Sequence, residues 1–176
     1  MLEERKKAST MTFRMDDDLL VLLRKESEKK EVSLNNLVNQ ILRQYIRWNL
    51  FQSRVGMIPL AKPVLCAIFD KMSESDIDDL ALNVGKDAIR DIVLFMEGKV
   101  DVDSFLTWFE LRMKNSFVEV NYVENPTTHT FIMKHELGYN WSLYHKKLLT
   151  AIFNEIFNMP IKIAITKSTL SFDISN

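Results

Sequence analysis

One cysteine, four glycines, four prolines and three histidines are all that the 176 residues hold of these four types. A lone thiol, Cys66, cannot build a disulfide framework. Its neighbours Val64, Leu65, Ile68 and Phe69 make a buried, inert side chain the expectation for it. So little glycine and proline argues against long linkers and disorder. No apolar run approaches the ~18–20 residues needed to span a bilayer. The opening Met-Leu-Glu-Glu-Arg-Lys-Lys puts charge where a signal peptide would place its apolar core. The expectation is a cytoplasmic protein without a membrane partner. Also missing are a glycine-rich phosphate loop, a CxxC pair and a Ser-His-Asp order. The carboxylates Asp101, Asp103, Glu110, Glu119 and Glu124 do not converge into an acid/base pair, so neither an enzyme nor a cofactor is expected.

What is present is an ordinary globular balance, 47% hydrophobic and 27% charged, with a net charge of −1 that conceals a polarity along the chain. Residues 1–56 hold eleven Lys and Arg against eight Asp and Glu. The remainder is acidic, with twelve against sixteen. A basic beginning on an acidic remainder suits a protein that meets a polyanion with one end.

The hydrophobic pattern divides the chain into four parts. Residues 1–8 have no periodicity and read as a flexible arm. Ser9 to Met15 alternates, with Met11, Phe13 and Met15 on one side and Thr10, Thr12 and Arg14 on the other, the period of a strand with one apolar face. Asp16-Asp17-Asp18 supplies an N-cap and negative charge for a helix reaching Lys30, whose inner stripe is Leu19, Leu20, Leu22, Leu23 and Ser27. After Glu31-Val32, Ser33 caps a second helix. Leu34, Leu37, Val38, Ile41, Leu42, Tyr45 and Ile46 form its apolar stripe, and it reaches Trp48 or a little beyond. These elements make a domain over residues 9–52, followed by a hinge over 53–62 that Gly56 and Pro59 punctuate.

Residues 63–176 read as an α+β domain, helices first and then β-β-α-β-β. Pro63 opens a helix to Met72, and Ser73 or Ser75 caps the next, which Gly85 is expected to break. Asp87–Glu97 is a helix ended by Gly98, and Asp101–Met113 is another. Strands follow at Phe117–Tyr122 and Thr128–His135 around a turn at 124–127. Then come a helix over Trp141–Phe157 and strands at Ile161–Thr166 and Thr169–Ile174.

A seven-residue strand and two short amphipathic helices bury too little surface to stand alone. Two copies solve the problem: the strands pair antiparallel and four helices pack beneath them, giving a β-ribbon of the width that enters a DNA major groove. The stretch STMTFRMDDDLLVLLRKESEKKEVSLNNLVNQILRQYI resembles the ribbon-helix-helix superfamily, the class of the Arc, MetJ and CopG repressors. Ser33-Leu34-Asn35-Asn36-Leu37-Val38 matches the opening of the family's second helix. The resemblance implies a β-α-α intertwined homodimer, or a tetramer, that binds double-stranded DNA and regulates transcription as a CopG-like repressor or activator. It implies that Thr10, Thr12 and Arg14 touch base edges, Arg14 through guanine O6 and N7. It implies that Ser33 and the amides of Leu34 and Asn35 hold a phosphate, with Lys6 and Lys7 adding phosphate contacts. Many family members carry Gly in the turn before the second helix, where this chain has Glu31-Val32.

The alternatives share that N-terminal domain. One is an antitoxin whose C-terminal region neutralises a toxin. Another is a regulator whose C-terminal domain senses a ligand or metal. His129 and His135 sit ~20 Å apart on one extended strand and cannot share an ion, whereas His135 and His145 could approach across Gly138. His135, Trp141 and Tyr144 are candidates for a ligand pocket. The bland readings, satisfied histidines and a core helix turn, are preferred for all of them.

Overall fold

The computed structural model describes residues 9–116, 118–125 and 127–175. The chain is a mixed α and β protein that divides into two compact units, Met1–Leu50 and Phe51–Asn176.

The first unit holds helices α1 (Asp17–Lys29) and α2 (Leu34–Gln44). α2 runs on through a π-helical turn, Tyr45–Asn49, into a short α3, Leu50–Gln52. The joint between α1 and α2 is a Schellman closure. The Glu31 amide donates to the Glu28 carbonyl and the Val32 amide to the Ser27 carbonyl, each at 3.0 Å. That geometry puts the residue after the helix cap into the left-handed region. Glu31 takes it, at φ 53°, in the turn where the family resemblance leads one to expect glycine. Asp16 stands at the α1 N-cap without a side-chain cap bond, and Asp18 Oδ1 instead accepts the Leu19 amide at 2.8 Å. Residues 9–16 carry no regular secondary structure in the single chain.

The second unit opens with α4 (Lys62–Asp70), which has Pro63 in its first turn. α5 (Glu74–Asp79) starts at a capping box: Ser73 Oγ accepts the Asp76 amide at 3.2 Å and Asp76 Oδ2 accepts the Ser73 amide at 2.8 Å. The Ser73 hydroxyl, which donates to Asp76 Oδ2 at 2.7 Å, and then the Ser73 amide hold the Asp76 carboxyl below its usual range. Then come α6 (Lys86–Glu97), closed by Gly98 at φ 76°, and α7 (Val102–Asn115), capped by Asp101. Strands β1 (Glu119–Asn125) and β2 (Thr128–Lys134) form a hairpin. α8 (Tyr139–Ala151) follows, and β3 (Lys162–Ile165) and β4 (Thr169–Ser175) form a second hairpin. All pairings are antiparallel, in the order β1-β2-β4-β3.

Register decides which face of this sheet is dry. Phe131 stands between Tyr122 and Phe172, and Phe172 stands opposite Ile163. Phe131 and Phe172, with Met133, Leu170 and Ile174, belong to the core and Ile163 packs against it, whereas Tyr122, on the edge strand, is exposed. On the other face Glu119 lies across from Lys134 and Asp173 across from Lys162, with Thr130 Oγ1 donating to Asp173 at 2.8 Å. Helix α7 meets the sheet through Phe109, 5.8 Å from Phe172. Helix α7 and the turn after α8 share the ring cluster of Phe105, Phe153 and Phe157.

Three expectations need correction. Gly85 does not break its helix. Its φ is −65°, and α5 passes through a π-helical turn, Leu80–Gly85, straight into α6. The glycine serves close approach instead: a Cβ there would lie 2.7 Å from Tyr144 Oη and 3.3 Å from Leu148 Cδ1, so no larger residue lets α8 pack at that distance. Strand β1 runs to Asn125, into the stretch read as turn, because pairing continues to Asn125 opposite Thr128; Phe117 and Pro126 lie outside the described residues. Cys66 is half-buried rather than enclosed, since Val64 and Ile68 are exposed, and its Sγ donates to the Glu136 carbonyl at 3.4 Å.

Candidate nucleic-acid interface

Thr10, Thr12 and Arg14 are exposed in the extended segment that leads into α1. Among the described residues the segment has no pairing partner. A strand exists only by hydrogen-bonding a neighbour, so the alternation at Ser9–Met15 has nothing to act on in one copy. The residues expected to face inward show the same thing. Met11 is 80% exposed and Phe13 57%, and only Met15 is half-buried.

The second-helix start is built as its sequence requires. Ser33 takes the extended N-cap conformation, and its Oγ accepts the Asn36 amide at 3.2 Å. The first intrahelical bond runs from the Leu37 amide to the Ser33 carbonyl at 3.0 Å. The amides of Leu34 and Asn35 precede that bond at the positive end of the helix, the arrangement that favours an anion. Asn35 is also braced, since Asn39 Nδ2 donates to its carbonyl at 2.8 Å. Lys6 and Lys7 lie outside the described residues.

The apolar stripes of this unit are largely in water. Leu19, Val21 and Leu22 on α1 are exposed, as are Ile41 and Leu42 on α2 and Tyr45 and Ile46 in the π-turn. Among the described residues of this unit, only Leu37 and Trp48 are buried apolar residues. The sequence pattern assigned Leu19, Leu22, Ile41, Leu42, Tyr45 and Ile46 to an interior, and a single chain does not provide one.

The other candidate residues belong to the corner between β2 and α8. His135 is 3% exposed. Its Nδ1 accepts the Leu137 amide at 3.2 Å, so Nε2 carries the proton and donates to Ser142 Oγ at 2.8 Å. His145 is equally buried, and its Nδ1–H donates to the Trp141 carbonyl at 3.0 Å. The Trp141 indole contacts both rings, at 4.3 Å from His135 and 3.8 Å from His145. Gly138, at φ 87°, turns the chain into α8, and Asn140 Nδ2 closes α4 by donating to the Phe69 and Met72 carbonyls. Burial pushes both histidines down, His135 with help from Lys62. His145 falls to about 3, with Arg112 adding to the effect.

The corner therefore holds neutral, hydrogen-bonded histidines in a packed core. Both ring nitrogens of His135 are engaged, and no group of three or more metal-ligating side chains occurs among the described residues. Trp141 and Tyr144 are core residues of α8, and Tyr144 reaches Phe69 at 5.6 Å. His129, on β2, is apart from this corner and hydrogen-bonds Tyr122.

Sequence reasoning passed over Arg112, which lies in the last turn of α7. Its guanidinium stands 5.5 Å over the Trp108 ring. The available signal was positional: Trp108 and Arg112 are four apart on one helix, with Arg112 set between the buried Phe109 and Met113.

The chain matches no model of a known protein family, and no curated protein matches it.

Proposed function

We propose that residues 9–52 form a ribbon-helix-helix domain and that the protein is a homodimeric, sequence-specific DNA-binding regulator. The observation that carries this reading is the exposed apolar surface of the first unit. Fully burying each such side chain is worth roughly 1.5–3 kcal/mol, and one chain leaves most of that unrealised. A second copy supplies the missing interior and, in the same act, a partner strand for residues 9–15. Two further features support it: the capped, anion-ready start of α2, and the left-handed Glu31 in the position where the resembled family favours glycine.

In the dimer the ribbon presents Thr10, Thr12 and Arg14 of each copy to base edges, while Ser33 and the amides of Leu34 and Asn35 fix the register on phosphate. Base contacts discriminate between sequences and phosphate contacts do not. Arg14→Ala therefore lowers the preference for operator over random DNA by roughly 5- to 150-fold, the ~1–3 kcal/mol of a bidentate contact to guanine. Lys6→Ala weakens binding to both DNAs alike. Gel-shift titrations on an operator selected from random sequence measure both ratios. Equal losses on both DNAs for Arg14→Ala would remove Arg14 from base reading, and no shift with any duplex would overturn the function.

A further inference from the structure

The sheet of the second unit ends in two strands of different character. β3, at one edge, has four residues, begins at Lys162 and packs against α8. Shortness, lysine and a packed helix are among the ways native sheets keep an edge from pairing with another chain. β1, at the other edge, has none of them. Its seven residues pair with β2 one for one from Glu119 to Asn125, without a bulge. It holds no proline, lysine or arginine, and every residue except Val120 is exposed. Among the described residues no strand pairs with its outer side. An edge of this length leaves a row of backbone amides and carbonyls free to extend the sheet.

The side chains define what pairs there. Tyr122 lies on the face of the sheet that carries the core. It is 47% exposed, with its ring 5.1 Å from Phe131 and stacked on His129 at 5.7 Å. On the opposite face Val123 and Ile132 are exposed beside one another. Each face therefore offers apolar surface next to the open edge. The only charges on β1 are Glu119 and Glu124, and their separation of five residues puts one on each face. β2 places Lys134 across from Glu119 but only His129 across from Glu124. A neutral strand laid along this edge leaves the carboxylates unanswered, and an acidic one is repelled. A second copy of β1 brings two more carboxylates and no cation.

We propose that the β1 edge takes an extended basic peptide as a fifth strand, antiparallel like every other pairing in the sheet. One Lys or Arg of the peptide stands opposite Glu124 and a second, five residues on, opposite Glu119. Apolar residues between them stand opposite Tyr122 and Val123. Backbone hydrogen bonds supply the affinity and these four positions the specificity. The surface lies within the second unit and does not depend on the DNA-binding reading.

The test is fluorescence anisotropy of a labelled peptide, Thr-Lys-Val-Phe-Thr-Val-Lys, titrated with the full chain, against the same peptide with glutamate in place of both lysines. The lysine peptide is expected to bind saturably and roughly 10-fold more tightly than the glutamate peptide. Glu119→Gln with Glu124→Gln, both at exposed positions, is expected to bind the two peptides within about 2-fold of each other. Backbone N-methylation of the lysine peptide at alternate residues reads strand addition on the unmodified protein. One alternate set removes the donors to β1 and is expected to abolish binding, and the other faces solvent and leaves it. The proposal is overturned if the lysine peptide does not saturate, if the glutamine variant keeps the preference, or if the two methylated sets bind alike. Protection of alternate β1 amides that grows with protein concentration in the absence of peptide would make the edge a contact between copies and overturn the peptide partner.

Discussion

The two units treat their apolar residues in opposite ways. In Phe51–Asn176 the residues spaced for burial are buried: Phe105, Trp108, Phe109 and Met113 on α7, and Trp141, Tyr144, Leu148 and Leu149 on α8. In Met1–Leu50 equally regular stripes on α1 and α2 face solvent. The difference lies in what each pattern requires. A four-stranded sheet with helices on one face encloses a core within a single chain. One short extended segment and two short helices cannot. On the proposed reading, the second unit is a complete folding problem and the first is half of one.

That contrast is broken most severely by a charge in the first unit. Ile41→Asp puts a carboxylate on the exposed stripe of α2, where a lone chain tolerates it and a dimer does not. Symmetry places it twice in the interface, so dimerisation weakens by roughly 6 kcal/mol, or about 10⁴-fold. Sedimentation equilibrium reads this as a shift from twice the 20.6 kDa chain mass to the chain mass itself. An unchanged mass would place the dimer contact elsewhere or nowhere.

Acid separates the units next. All three histidines lie in the second, and two of them are buried and neutral. A histidine whose folded pKa lies below its unfolded value of ~6.5 leaves stability intact above that pH and removes it as the pH falls toward the folded value. For His145 the window runs from ~6.5 down to about 3, with Arg112 and His135 also opposing its charge. The second unit therefore loses about 5 kcal/mol over that range at most. Urea unfolding followed by tryptophan fluorescence at stepped pH gives the slope, and His145→Gln flattens it. A slope that the variant leaves unchanged would assign the acid sensitivity to other groups.

The smallest effect sharpens the comparison at a single residue. Glu31 holds a left-handed conformation that costs a side chain roughly 1 kcal/mol and glycine almost nothing. Glu31→Gly should raise the stability of the first unit by about 1 kcal/mol without altering the second, read by hydrogen exchange of α1 and α2 amides. A loss of stability would mean that the Glu31 side chain makes a contact worth more than the strain.

Much of this was legible in the sequence because local rules carried it. Ser33 and Ser73 cap where their spacing says they should, Gly98 ends its helix, and the α7 and α8 stripes are the core. What escaped was decided by a residue distant in the chain. Gly85 reads as a breaker until Tyr144 is seen against it. Cys66 reads as enclosed until its Sγ is seen donating to the Glu136 carbonyl across the fold. The strand at Ser9–Met15 is a different case: the partner that would make it a strand is, on the proposed reading, a second chain. His135 and His145 do approach one another, as the turn at Gly138 suggested, but each is committed to the protein's own hydrogen bonds.

The central claim is that residues 9–15 become a strand between two chains. Amide hydrogen exchange across that segment, measured from nanomolar to high micromolar protein, tests it most directly. The account predicts that the segment is unprotected when dilute and gains protection at alternate residues, in step with dimer formation. Amides that exchange at free-chain rates in a sample shown to be dimeric would contradict it.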